Sequence, residues 1–538
     1  MKKLFPVFFF IFFFSLSSPA QPLYPHWTKF FGGTMSEIPR DAVATFDGGV
    51  VFTGLTSSYD GDVPYSPPDT LNGMRYNIMV GKIDSNKQLE WMKVYGGQQW
   101  DYAYKVIQMN DGGYAVLAQT NSSDGDVTWN RGTDDIWLLR LDPSGNLLWQ
   151  KTYGSSWSDQ AVALTETSDG SFIVLGRSNG SDYDVPFHYG TSQFDYDFFL
   201  LKLDDTGSIK WSKTIGGYGN EGSSGSVFEA NGGYYFASYG TSRSEDCVDT
   251  SWCPNVYTDY DYYLFFLDTS GNILWSRSYG GSGGEGVRSA FWDSRDSSIV
   301  MIGTTSSTDF MVSESYNGVT SVWAIKTDMN GNLNWETTLG DTSQDNNIVD
   351  MTIADQGYFI GITFLDQLQL HYGSNDMLAC LVDTAGVLIS DTVMGGSEGD
   401  ACMAAVPYKD GYAMVSSTKS YSIFPGVNEN NNHTQNNQSD LALSFLSNLP
   451  LKVDLTSAKQ TLKIYPNPAK DKVRIVLPQR GNSGKLNVID GAGRVIYSEE
   501  VRYKSEIDIN TGSWAKGAYM VNWKGADGKQ GGGKLIIH

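Results

Sequence analysis

Residues 135–159 read Asp135-Ile-Trp-Leu-Leu-Arg-Leu-Asp142-Pro-Ser-Gly145-Asn-Leu-Leu-Trp149-Gln-Lys-Thr-Tyr153-Gly154-Ser-Ser-Trp-Ser-Asp159. An apolar run meets an Asp-x-x-Gly turn, and a second run carries a Trp. Gly154 then precedes a carboxylate by five residues, which together describe a hairpin and its closing loop. The Gly/acid step occurs seven times: Gly32/Glu37, Gly96/Asp101, Gly154/Asp159, Gly216/Glu221, Gly280/Glu285, Gly340/Asp345 and Gly395/Asp400. Five residues before each Gly stands Trp27, Trp91, Trp149, Trp211, Trp275 or Trp335, with Ser390 in the seventh copy. The period runs from 55 to 64 residues. Strand-like pieces repeating at that length predict an all-β chain built as a β-propeller. A residue found in every copy is then there to build the copy.

Working outward, the second copy predicts strands over residues 103–109, 114–120, 135–141 and 147–153, an antiparallel meander. Asp84, Asp142, Asp204, Asp268, Asp328 and Asp383 each lie seven residues before the Trp or Ser position. Asp caps such turns by accepting backbone N–H bonds, and Gly supplies positive φ. The Trp side chains have the bulk to fill space between neighbouring sheets. Trp27 to Gly32 is a fourth strand with no three before it, whereas the seventh unit, from Ala401, stops after its third strand, residues 441–446. The two ends complement each other, so a seven-bladed ring closed by strand exchange is expected, with no exposed edge in its last blade. The expected propeller spans residues 21–447, with a linker over 448–460.

Lys2 and Lys3, an apolar run to Phe14 and the small residues Ser18-Pro19-Ala20 predict a signal peptide over 1–20. No later stretch approaches the ~20 apolar residues of a transmembrane helix. The chain carries a net charge of −22. Residues 459–538 contribute +7 and the remainder −29. So acidic a body argues against nucleic acid and anionic lipid as partners. Cys247 and Cys253, six apart in a polar loop, are a candidate disulfide after export. Cys380 and Cys402 fall in different units, and no CxxC motif supports zinc or thiol redox chemistry.

The turn-and-Trp layout resembles the tryptophan-docked blades of quinoprotein-type propellers, and its Asp turn resembles the Asp-box of sialidases. Neither resemblance carries a cofactor residue over. The C-terminal segment reads differently: Leu462-Lys-Ile-Tyr465-Pro466-Asn467-Pro468-Ala469, then Asp490-Gly-Ala-Gly493-Arg494, Gly517-Ala-Tyr519 and Lys534-Leu-Ile-Ile-His538. Alternating strands and Gly turns predict a small Ig-like β-sandwich over 461–538. These motifs resemble the type A C-terminal sorting domain of the type IX secretion system of Bacteroidota. The resemblance implies handling by that machinery, passage through the outer membrane, removal of the tail, and anchoring at the cell surface or release.

Candidate chemistry is sparse. The seven acids after the Gly residues would either bind backbone N–H groups of their own loops or ring a cation, and the first is the simpler reading. Asp60 and Asp62, Asp124 and Asp126, and Asp182 and Asp184 form Asp-x-Asp pairs in the loops of the first three units, and are candidate calcium ligands. Gly280-Gly-Ser282-Gly-Gly284 and Gly395-Gly-Ser397-Glu-Gly399 match G-x-S-x-G, yet both are copies of the repeat's own turn. Five scattered histidines give no metal-ligand spacing. The Asn-rich run 428–437 reads as a loop insertion. Trp100, Trp157 and Tyr218 offer flat faces for sugars or a protein partner. The expectation is a secreted or surface-held, non-enzymatic binding module for a surface glycan or protein, with no catalytic residues and no cofactor beyond calcium. An extracellular enzyme acting on polysaccharide or peptide is the alternative, and a structural adhesion component is a third.

Overall fold

A computed structural model describes residues 23–538 apart from 65–74, 191, 193, 218, 242–259, 314–319, 340–345, 366–374, 410, 421–438, 448–459, 478–483, 490–494, 502–503, 505 and 526–529. The described residues are all-β, without helix. Seven four-stranded antiparallel sheets account for residues 24–447 among them. In the second sheet the strands are Asp101–Gln108, Tyr114–Thr120, Asp135–Leu141 and Leu147–Tyr153. Three of the four match the sequence expectation, and the first begins two residues earlier, at the carboxylate.

Burial follows position within each sheet. Tyr114–Thr120 and Asp135–Leu141 are buried throughout, whereas Leu147–Tyr153 is half-exposed. Strands covered on both faces need near-continuous apolar sequence, which Trp-Leu-Leu-Arg-Leu supplies. The first strands of successive sheets pack side by side: Glu37–Ala44, Asp101–Gln108, Asp159–Glu166, Ser226–Ala230, Glu285–Asp293, Asn346–Ala354 and Asp400–Tyr408, with the last returning to the first. Radial sheets around a closed circuit of inner strands make a β-propeller.

Each Trp docks on a turn in the next sheet. Trp149 lies under Gly207, whose φ is +76°, so a Cβ there would come within 2.8 Å of the indole. Tyr153 Oη also donates to Gly207 O at 2.6 Å. Trp91 meets Gly145, Trp211 meets Gly271, Trp275 meets Gly331 and Trp335 meets Gly386 in the same way. Trp27 meets a turn where Lys87 holds the positive φ (+69°), its ammonium 4.6 Å from the ring centroid. The Asp of each turn does what its spacing implied: Asp142 Oδ1 accepts from Ser144 N and Asn146 N, both at 2.8 Å.

The exception at Ser390 has a physical reason. The seventh sheet takes its outer strand, Tyr24–Phe31, from the N-terminal side, paired antiparallel to Asp440–Ser447. No hairpin turn joins those two strands, so nothing is there for a Trp to dock on. Ser390 Oγ instead accepts from Leu23 N at 3.0 Å, and Thr392 Oγ1 donates to Leu23 O at 2.9 Å.

In the C-terminal segment, a five-stranded and a three-stranded sheet enclose a separate core that includes Ile475, Leu486, Val488, Val521 and Leu535. Asn467 clamps the last strand: its Nδ2 donates to Lys534 O at 2.6 Å, and its Oδ1 accepts from Ile536 N at 2.8 Å. The Tyr465-Pro466-Asn467-Pro468 motif and the terminal Lys534 strand are thereby brought together. Gly517 and Tyr519 lie on the strand paired with it, Tyr519 opposite Leu535. Asp490, Gly493 and Arg494 lie outside the described residues, as do Cys247 and Cys253. Cys380 and Cys402 are buried free thiols.

Candidate binding site on the axis of the ring

Five of the acids, Glu37, Asp101, Asp159, Glu285 and Asp400, open the first strands of their sheets and are buried. Each of these five accepts from its own loop. Glu37 takes Gly33 N at 3.0 Å, Asp101 takes Gly97 N at 2.8 Å, Asp159 takes Ser155 N at 2.6 Å, and Glu285 and Asp400 take Gly281 N and Gly396 N. They are loop anchors set into the sheet boundaries. Burial raises Glu37 and Asp159 to about 7, and Asp101 and Asp400 to about 6, against the hydrogen bonds they accept. Asp345 lies outside the described residues.

The Asp-x-Asp pairs are engaged in the same loops. Asp60 Oδ1 accepts from Thr34 N (2.8 Å) and Asp124 Oδ1 from Gln98 N (2.8 Å). Asp182 accepts from both Ser156 N and Ser156 Oγ at 2.7 Å. Asp126 and Asp184 accept from Gly96 N (3.0 Å) and Gly154 N (3.2 Å), and Asp62 from Gly32 N at 3.4 Å. Arg131 also pairs with Asp184. Among the described residues no group of three or more His, Cys, Asp or Glu side chains gathers where it could hold a metal. Through these bonds the pairs stitch two loops together.

In six of the seven sheets the first strand slips register three residues past the acid position, Ser226–Ala230 being the exception. The slips fall between Pro39 and Asp41, Ala103 and Lys105, Ala161 and Ala163, Val287 and Ser289, Asn347 and Val349, and Cys402 and Ala404. Each is a one-residue bulge, a device that turns a side chain out of the ladder. At five of the six slips the residue so placed, Arg40, Tyr104, Val162, Arg288 or Met403, lines one cavity of ≈110 Å³. Ser224 joins them from the loop preceding Ser226–Ala230. The cavity therefore sits where all seven inner strands or their lead-in loops converge, and each sheet delivers a different side chain to it.

Its electrostatics are uneven. Asp41 pairs with Lys105 Nζ at 3.0 Å and accepts from Val106 N at 2.9 Å. Asp350 Oδ2 accepts from Ala405 N at 2.9 Å. Arg40 and Arg288 make no hydrogen bond or ion pair among the described residues. Burial lowers the Arg40 pKa from its usual value, the nearby tyrosines oppose that drop, and Arg288 adds to it. Three cations face two anions here, one net positive charge inside a strongly acidic body.

Arg40, Tyr102 and Tyr104 also line an adjoining cavity of ≈360 Å³ with Trp100, Gln119, Asn121 and Asp134. Trp100 stacks on Tyr102, centroids 5.9 Å apart and planes 4° apart, and Tyr76 lies 5.6 Å from Trp100. Tyr104 Oη donates to Gln119 at 3.1 Å. Asn121 Oδ1 is buried and accepts no hydrogen bond. Of the aromatics singled out from sequence, Trp100 belongs to this mouth, Trp157 stands exposed at another loop, and Tyr218 lies outside the described residues. The axial residues escaped the sequence reading because they follow no repeat: three residues past the acids, Arg, Tyr, Val, Ser, Arg, Ile and Met succeed one another, and the positions beside them vary as well.

Residues 463–538 match the family described as secretion system C-terminal sorting domain. A sorting domain of this kind implies handling by the type IX secretion machinery. No helix of the described residues is long and apolar enough to cross a membrane. A curated relative, the regulatory protein FlaEY of Caulobacter vibrioides, is 26% identical over 240 residues. That match takes in 43% of this chain and 23% of the relative's length. Similar solved structures include the Pan2 WD40 domain of Neurospora crassa, at 10% identity over 80% of this chain and 96% of that one, with a TM-score of 0.39. The Synechocystis apocarotenoid oxygenase is 13% identical, over 70% and 96% of the two chains, with a TM-score of 0.36.

Proposed function

We propose that this chain is a seven-bladed propeller, residues 21–447, closed by exchange of the strand Tyr24–Phe31, and that it works at the cell surface as a binding module. An N-terminal signal peptide over 1–20 takes it to the periplasm of a Bacteroidota cell. The Ig-like tail, 461–538 beyond a linker at 448–460, takes it through the outer membrane. One observation supports the binding role: the seven sheets deliver side chains of different chemistry to one shared cavity, Arg40, Tyr104, Val162, Ser224, Arg288, Asp350 and Met403. Structural positions repeat because every sheet needs them, and a varied position on a rigid frame is where recognition is built. The non-enzymatic reading is supported by the acids, since Glu37, Asp101 and Asp159 are sealed from solvent and Asp41 is held by Lys105.

The test is a screen of immobilised full-length chain against a glycan array and purified surface proteins, with mass spectrometry of each bound ligand before and after incubation. Ligand recovered intact supports the reading. Cleaved or modified ligand overturns it in favour of an enzyme. For delivery, removal of 461–538 is expected to leave the chain in the periplasm, detected by fractionation.

A further inference from the structure

We propose that the axial cavity and its mouth take a carboxylated sugar, a uronic acid unit of an acidic polysaccharide, with the carboxylate on Arg40 and Arg288 and the ring against Trp100 and Tyr102. The inference rests on the binding-module reading and supplies its ligand class.

Two guanidinium groups at one cavity, neither with a partner among the described residues, repel each other until an anion joins them. The nearby carboxylates cannot serve, since Asp41 is held by Lys105 and a backbone N–H and Asp350 by Ala405 N. A planar carboxylate matches the guanidinium fork with two parallel hydrogen bonds. The charge balance selects further. Arg40, Lys105 and Arg288 face Asp41 and Asp350 in the inner cavity, one net positive charge, and Asp134 at the mouth offsets it, so the site as a whole takes a carboxylate more readily than a phosphate dianion.

The mouth selects a sugar over an acidic peptide. Trp100 and Tyr102, stacked on each other at the mouth, give it an aromatic wall against which the C–H face of a pyranose can pack. Beside them the Asn121 amide lines the same mouth, a group that can donate to or accept from a ligand hydroxyl. Arg40 and Tyr102 border both cavities, so one ring can touch the aromatic floor while its carboxylate reaches the guanidinium pair.

The experiment is calorimetric titration of the full-length chain with trigalacturonate, its neutral methyl ester, a polyglutamate peptide and inorganic phosphate. Trigalacturonate is expected to bind at least tenfold more tightly than the ester. Arg40→Gln and Arg288→Gln should each weaken it about 10–100-fold, the loss of a charge-assisted pair. Their melting temperatures should stay within about 2 °C of the parent, because neither residue has a protein partner to lose. Asn121→Ala and Trp100→Ala should weaken trigalacturonate and its ester alike. Equal affinity for acid and ester, undiminished binding by both Arg variants, or preference for polyglutamate or phosphate overturns the uronate assignment while leaving a binding module. Failure to bind any of the four probes also overturns it. Failure on the full glycan and protein screen as well would remove the binding reading itself.

Discussion

Glu37, Asp101, Asp159 and Asp400 each lie among N–H groups of their own loop and hydroxyl groups, as in Thr56 Oγ1, at the end of the neighbouring strand, to Glu37 Oε1 at 2.8 Å. Burial outweighs those bonds and raises all four carboxyls to about 6 or 7. The folded chain therefore keeps protons that the unfolded chain releases near pH 4. Their contribution to stability is fully present below about pH 4 and is lost as pH rises through 6–7. Asp47 and Asp293 are held near 2, burial opposing the shift and Lys82 and Arg295 bonds driving it; their contribution is lost as pH falls from about 4 to 2. The melting temperature, followed by circular dichroism, should peak between about pH 4 and 6 and fall towards pH 8. Glu37→Gln combined with Asp159→Asn should flatten the alkaline limb; a double variant that still declines as steeply as the parent would rule out these groups as the cause. The sequence already offers one such exchange: Asn77 stands beside Asp101 at Gly96, where Asp135 stands beside Asp159 at Gly154.

At the level of the hairpin, the Trp-on-Gly contact sets what each turn tolerates. Gly207→Ala combines a positive φ with a Cβ driven onto Trp149, and is expected to cost about 1–3 kcal/mol. Lys87→Gly relieves about 1 kcal/mol of left-handed strain and forfeits a cation–π contact worth about the same, so urea denaturation should find it near neutral. The loops carrying Asp60, Asp124 and Asp182 belong to the same level. Their oxygens take N–H and O–H donors from the loop opposite. Millimolar calcium should leave the melting temperature unchanged, and a rise would mean these carboxylates exchange loop donors for a cation. Turns, docking Trp residues and loop anchors were legible in the sequence because each is a local rule repeated in most copies. Arg40 and Arg288 were not. Their role comes from a bulge that the alternation of side chains conceals, and from an axis that places residues 248 positions apart against one cavity.

Across the whole molecule, the seventh sheet depends on a pairing between Lys29 and Leu443, Phe30 and Ala442, and their neighbours along the same two strands. Deleting residues 24–31 should open an unpaired edge along Asp440–Ser447, giving concentration-dependent association in analytical ultracentrifugation. Adding the excised segment as a peptide should reverse it. An undiminished, monomeric truncated chain would show that this strand is dispensable. The sequence foretold the pairing from two fragments that complete one another, while Ser390 looked like a mere lapse until the missing hairpin explained it. The exchange also decides where mechanical load enters. The route from the propeller to the tail leaves at Ser447, the end of a strand hydrogen-bonded on one side to Gly411–Thr418 and on the other to Tyr24–Phe31. A chain anchored just beyond Ser447 and dragged by a bound polymer would transmit that pull into a strand gripped along both edges, so the tether is fastened at one of the molecule's doubly held strands instead of at a peelable rim.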